Sequence, residues 1–307
     1  MKTSEKKKLT HIIAILVIVI WGTTFVSTKV LLFAGLFPED ILVYRFLLAY
    51  AGIWFFGKNR LFSKTWKDEF YFLLLGIFGG SLYFITENTA LKLTLASNVS
   101  LLVCTAPLFT AVLSHFLFKS EKLSIRVING SAIAFIGMVL VVFNGHFVLK
   151  LSPAGDLLSL SAALCWAFYT IILKQVSAKY NSLFITRKVF FYGLVTTAPM
   201  FLHRPLTTNW EILSQPLVWG NLLFLGLIAS LFCYFTWNVV VKRLGTVRAT
   251  NYIYLNPLAT LITSSIIIHE KITAIALMGA ALILIGVFWV EKGMPIFRNI
   301  GANLKKQ

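Results

Sequence analysis

Residues 12–33 read IIAILVIVIWGTTFVSTKVLLF, with Lys29 as the one charged side chain. A helix crosses the hydrocarbon core of a bilayer in about 20 mostly apolar residues, so this run is long enough to span a membrane. Lys2, Lys6, Lys7 and Lys8 precede it, as they would precede the apolar part of a secretory signal. The apolar character continues through Trp21 and Phe25 to Phe33, too far for a signal, and no small-residue cleavage site interrupts it. The run is therefore expected to remain as an uncleaved first span.

The rest of the chain repeats the pattern. Apolar runs of spanning length fall at Ile12–Phe33, Glu39–Phe56, Phe70–Leu91, Leu95–Phe118, Ile125–Phe143, Asp156–Ala178, Phe184–Leu202, Leu217–Val241, Val247–Ile268 and Ile272–Val290. The 307 residues are 58% hydrophobic and 13% charged, with a mean hydropathy of +0.82. Soluble domains carry about 25% charged residues, so water is not the solvent of this chain. A membrane barrel would show alternating segments of about ten residues instead of these long runs. The expected fold is an all-α integral membrane protein of ten transmembrane helices with no extramembrane domain. Pro38 and Pro153 suit first helical turns, and Glu39, Asp40 and Asp156 follow them near the positive end of the helix dipole.

The formal net charge of +17 would suit a nucleic-acid binder only if the basic residues shared one water-facing surface, and here they sit in short loops. Lys and Arg are retained on the cytoplasmic side of a membrane. With the N-terminus inside, twenty-one of them fall in cytoplasmic segments, and only Lys92, Lys150, Arg204 and Lys271 fall opposite. Lys29, Arg45 and Lys174 lie within spans. This asymmetry predicts that both termini are cytoplasmic. Cys104, Cys165 and Cys233 lie in apolar spans without metal-ligand spacing and read as small buried hydrophobes.

The second half repeats the first. Trp21 and Lys29 match Trp166 and Lys174 at an offset of 145 residues, and Gly76, Thr86, Asn88, Pro107 and Leu108 match Gly226, Thr236, Asn238, Pro257 and Leu258 at 150. Glu121, Lys122, Gly130 and Gly137 match Glu270, Lys271, Gly279 and Gly286 at 149. Five helices per copy is an odd number, so the second copy must sit upside down. The expected units are two inverted-topology five-helix repeats, residues 10–145 and 150–292, with a basic cytoplasmic tail at 293–307. Such repeats exchange roles about an axis in the membrane plane and open a central site to either side.

Trp21-Gly22-Thr23-Thr24-Phe25, Arg45-Phe46, Pro107-Leu108 and Glu121-Lys122 in the first copy, with Trp166-Ala167-Phe168-Tyr169, Pro257-Leu258 and Glu270-Lys271 in the second, resemble the EamA family of the drug/metabolite transporter superfamily. The likeness covers most of the chain. It implies a carrier for amino acids, other metabolites or toxic compounds, often an exporter, with a central cavity lined mainly by spans one, three, four, six, eight and nine. It also implies a bacterial inner membrane.

Ionisable groups inside spans are expensive and are candidates for function. Lys29, Arg45 and Glu87 all approach the outer leaflet, which suggests a gate in which Glu87 bridges Lys29 or Arg45. The competing reading is snorkelling of both cations to headgroups, with Glu87 paired to Lys92. In the second copy Lys174 and Arg187 approach the inner leaflet, but Trp237 stands where Glu87 would be, so the two gates cannot be equivalent. Glu87 is also a candidate for carrying a coupling proton. Pro107 and Pro257 predict matched kinks. Trp21, Thr24, Tyr83, Asn88, Pro107, Trp166, Tyr169, Tyr234, Asn238, Tyr252, Asn256 and Pro257 are the candidate cavity residues, about half of the aromatic and amide groups being expected to line it. Gly76, Gly79, Gly130, Gly137, Gly279 and Gly286 are expected at close helix contacts.

No HExxH, paired-Asp, P-loop or GxSxG pattern occurs, and His115 and His269 fall near opposite faces, which argues against a membrane-embedded lipid-modifying enzyme. A channel or a scaffold is the other alternative, and the repeat favours a carrier. The expected partners are a small-molecule substrate and the lipid bilayer, with no nucleic acid, no metal and no cofactor; assembly as a homodimer is left open.

Overall fold

A computed structural model of the chain describes residues 2–56, 62–94, 96–117, 125–143, 152–202, 204–267 and 273–292. Glu121, Lys122, His269, Glu270, Lys271 and the tail at 293–307 lie outside the described residues, as do Lys58, Arg60, Lys119 and Lys150.

Among the described residues the regular structure is all helical. The main elements are α1 (Lys2–Phe33), α2 (Pro38–Ile53), α3 (Trp66–Leu93), α4 (Ala96–Val103), α5 (Ala106–Leu117), α6 (Ile125–Phe143), α7 (Pro153–Ser177), α8 (Ser182–Thr197), α9 (Pro216–Leu244), α10 (Thr246–Asn251), α11 (Asn256–Ile267) and α12 (Ala274–Lys292). Four helices are long and apolar enough to cross a membrane: α1 over Lys8–Phe33, α3, α7 and α9. Shorter apolar stretches lie in α5, α6 and α12. Pro38 opens α2 and Pro153 opens α7, the latter capped by Ser152, whose Oγ accepts from the Gly155 amide.

The runs read as continuous over 95–118 and 247–268 are each broken in two. The break between α4 and α5 falls at Cys104 and Thr105, just ahead of Pro107; that between α10 and α11 is a 3-10 turn over Tyr252–Leu255, just ahead of Pro257. A proline ring cannot donate to the helix ladder and crowds the preceding turn, so the ladder yields before it. The two breaks meet, and the Cys104 thiol donates to the Ile253 carbonyl at 3.4 Å.

A second pair of irregularities is also matched. Helix α3 carries a π-helical turn at Ile77–Ser81, and α9 carries one at Phe224–Phe232, positions that correspond at the 150-residue offset. The equivalent helices α6 and α12 pack antiparallel on each other. A Cβ on Gly137 would meet the Gly279 carbonyl oxygen at 2.6 Å, and one on Gly286 would meet that of Gly130 at 2.5 Å, so these contacts require glycine.

Candidate functional site

A pocket lies in the core where the two copies meet. From the first copy come Trp21, Thr24 and Phe25 of α1, Arg45 of α2, Tyr83, Phe84 and Glu87 of α3, Val103 of α4 and Ala106 of α5; from the second come Trp166 of α7, Tyr234 of α9, and Ile253 and Asn256 at the α10–α11 break. Aromatic rings fill most of the space. The Trp21 ring stands edge-on to Trp166 at 5.1 Å and to Tyr234 at 5.8 Å, and Tyr83 packs on Trp166 at 5.3 Å. The open volume is about 30 Å³, room for about two water molecules.

Two of these rings are held by the π-helical turns. A widened turn loosens the ladder and offers its carbonyls to outside donors. Trp21 Nε1 donates to the Ala229 carbonyl within the π-turn of α9 at 2.9 Å, and Tyr234 OH donates to the Gly79 carbonyl within the π-turn of α3 at 2.6 Å. Each copy thus grips the irregular turn of the other with an aromatic donor. Gly22, beside Trp21, permits the close approach of α1 to α11: a Cβ there would meet the Ala259 Cβ at 2.5 Å.

The charges in the pocket are buried. Arg45 is 2% exposed; its Nε donates to Ser230 Oγ at 2.9 Å and its guanidinium lies 4.1 Å from the centre of the Phe84 ring. Glu87 is 6% exposed, and its Oε1 accepts from Tyr83 OH at 2.8 Å. They attract one another through space, but among the described residues no ion pair joins Glu87 to Arg45 or to Lys29. Trp166 Nε1 and Asn256 Oδ1 are buried without a hydrogen-bond partner.

Ion pairs do occur at the two ends of the helix bundle. At the end where α2 begins, Arg204 Nη2 donates to Asp40 Oδ1 at 2.7 Å and to Glu39 Oε1 at 3.0 Å. At the opposite end, Lys179 Nζ and Tyr180 OH each donate to Asp68 at 2.9 Å, and Glu69 accepts from Lys188 and, at 2.5 Å, from Tyr192 OH. The hydrogen bond to Asp68 holds the Lys179 ammonium above its usual pKa.

This two-copy architecture has a match among known families: the model of the EamA-like transporter family fits residues 8–143 and again residues 153–291. The chain belongs to the EamA-like transporter family. An uncharacterized transporter of Archaeoglobus fulgidus is 29% identical to it over 287 residues, which cover 91% of this chain and 96% of the relative. A Salmonella typhimurium protein named "Probable amino-acid metabolite efflux pump" is 28% identical, covering 94% and 96%. A chain of known crystal structure shares the fold with a TM-score of 0.73 at 19% identity, covering 92% of this chain and 96% of its own. This EamA-like chain is accordingly a multi-pass membrane protein and a transporter, and its family and relatives are named for moving molecules, not for converting them.

Several residues singled out from sequence lie in the EamA-like pocket: Trp21, Thr24, Arg45, Tyr83, Glu87, Trp166, Tyr234 and Asn256. Others are engaged beside it. Asn88 Nδ2 donates to the Pro38 carbonyl at 3.1 Å. Tyr169 OH donates to Asn238 Oδ1 at 2.7 Å, and Asn238 Nδ2 donates to Thr186 at 2.9 Å. Tyr252 OH pairs with His11 Nδ1 at 2.5 Å. Pro107 and Pro257 stand one residue beyond lining positions, behind the breaks they cause. Lys29 Nζ donates to the carbonyls of Leu91 at 2.5 Å and Thr94 at 3.2 Å, closing the C-terminus of α3, where a cation suits the helix dipole. Arg45 is too deeply buried to snorkel, and Lys92 lies over the Phe37 ring, 4.8 Å from its centre. Arg187 is 3% exposed, between the rings of Trp54 and Phe184, and Lys174 lies half-buried in the last turn of α7.

Phe25, Phe84, Val103, Ala106 and Ile253 also line the pocket and are not among the cavity residues expected from sequence, although Phe25 closes the family-like Trp21–Phe25 run. Phe84 stands next to Tyr83, and Val103 and Ala106 flank a proline break. Adjacency to a marked position was the one available signal.

Proposed function

We propose that this EamA-like chain is a secondary transporter that exports an amino acid or a related small metabolite by alternating access. It crosses a bacterial inner membrane ten times as two inverted five-helix repeats, residues 10–145 and 150–292, with both termini cytoplasmic. The observation that carries this reading is the position of the pocket: its walls come from both copies, so any rocking of one copy against the other alters access to it. The antiparallel packing of α6 on α12 and the Lys and Arg asymmetry of the loops support the inversion. The small open volume fits a closed state, in which the copies must separate before a metabolite enters. With no nucleotide-binding motif in the sequence, a gradient of substrate or protons drives the cycle.

Counterflow into proteoliposomes tests it. Vesicles preloaded with L-leucine, L-phenylalanine or L-threonine are expected to take up the labelled amino acid faster than empty vesicles, with saturation. Flux that never saturates and ignores preloading would mark a channel, and no flux with any metabolite tried would mark a scaffold.

A further inference from the structure

The pocket is lined by an arginine, Arg45, and a carboxylate, Glu87, that do not pair with each other. Burying either charge costs several kcal/mol unless a partner of opposite sign is at hand, and a contact ion pair is the cheapest remedy two such neighbours have. Here the guanidinium spends its Nε on Ser230 and the carboxylate spends Oε1 on Tyr83. A guanidinium carries five donors and a carboxylate accepts about four hydrogen bonds, so both retain capacity. Two further polar atoms on the same walls are unsatisfied: the donor Trp166 Nε1 and the acceptor Asn256 Oδ1, on side chains that are each 5% exposed.

A ligand with one charge would satisfy half of this set. An organic anion would pair with Arg45 and place a like charge near Glu87; an amine would do the reverse. A molecule carrying both charges on neighbouring atoms answers both groups and adds no net charge to a low-dielectric site. We infer that Arg45 and Glu87 are the specificity-determining residues of the pocket, Arg45 binding the carboxylate and Glu87 the ammonium of a zwitterionic α-amino acid. Trp166 Nε1 and Asn256 Oδ1 add a donor and an acceptor for the same two groups, and the aromatic walls receive the side chain. This rests on the amino-acid export reading and narrows it to ligands with both α groups free.

The test uses the full chain in proteoliposomes, with competition against labelled L-leucine counterflow by two truncated analogues. The amine 3-methylbutylamine lacks the carboxylate, and 4-methylpentanoate lacks the ammonium. Charge-assisted hydrogen bonds in a buried site are worth roughly 10- to 100-fold in affinity, so each analogue is expected to compete that much more weakly than unlabelled L-leucine. Glu87→Gln should weaken L-leucine by about the same factor and leave competition by 4-methylpentanoate unchanged or improved. Arg45→Gln should weaken L-leucine and spare 3-methylbutylamine, with Arg45→Lys falling between wild type and Arg45→Gln. This crossover is what a merely structural role would not produce.

Equal competition by L-leucine and either analogue on the wild-type protein would overturn the assignment even if neither variant folds. So would variants that weaken all three ligands alike. Counterflow of the amine or the acid without any amino acid would overturn it while leaving a transporter in place. Absence of counterflow for every compound would remove the amino-acid export reading itself.

Discussion

Helices α3 and α9 hold equivalent places in the two copies and carry π-helical turns at matching positions, yet α3 brings Glu87 to the pocket where α9 has Trp237. The backbone device is shared and the chemistry is not. Trp237 is fully buried, 5.2 Å from the Trp21 ring, so the second copy offers a packed wall where the first offers a charge. The ends of the bundle show the opposite arrangement. There the first copy supplies acids, at Glu39, Asp40, Asp68 and Glu69, and the second supplies bases, at Lys179, Lys188 and Arg204. Charges that join the copies are paired across the seam; the two in the middle belong to one copy and are left unjoined. The two copies therefore share a backbone frame while the side chains they bring to the centre differ.

The largest effect should come from making the copies chemically alike. Trp237→Glu would place a second carboxylate among the rings of Trp21 and Trp166, and an unpaired buried charge costs about 3–5 kcal/mol. Folded yield and thermal midpoint in detergent should both collapse; a variant as stable as wild type would mean the two positions are interchangeable. A moderate effect is expected from Tyr234→Phe, which keeps the ring but releases the Gly79 carbonyl from its donor. One such bond is worth about 1 kcal/mol net, so the midpoint should fall by a few degrees while counterflow persists. No change would mean that the π-turn of α3 does not depend on α9. The smallest effect should follow Arg204→Gln: Arg204 is 29% exposed, and the fully buried Asp40 keeps its bonds from the Phe37 amide and Thr207, so the loss is about 1 kcal/mol or less. Stability measured in low and high salt should converge between variant and wild type; a loss larger than that of Tyr234→Phe would make this end a principal clamp between the copies.

Much of this was readable from residues alone. Pro107 and Pro257 marked the helix breaks, because a missing amide acts on its own turn whatever surrounds it. Gly130, Gly137, Gly279 and Gly286 marked the α6–α12 contact, and the replacement of Glu87 by Trp237 was visible in the alignment of the halves. Lys29 shows the limit. Its height along α1 placed it near the level of Glu87, but its position around the helix turned it to the C-terminus of α3. Asn88 and Asn238 matched by offset and both proved to be engaged in hydrogen bonds between helices outside the pocket lining. The π-turns left only a faint trace, the Gly79-Gly80 pair in α3.

Length of apolar run, order of repeats and sites of helix breakage are local properties, and the amino-acid sequence determines them by itself. Which side of each helix faces the pocket is not local. A soluble helix announces its buried face by a polar stripe on the other, but a helix in lipid is apolar all round, and α1, α2 and α8 show little contrast between faces. Only the tertiary packing of the helices decided that Arg45 and Glu87 share a pocket and that Lys29 instead closes the end of α3.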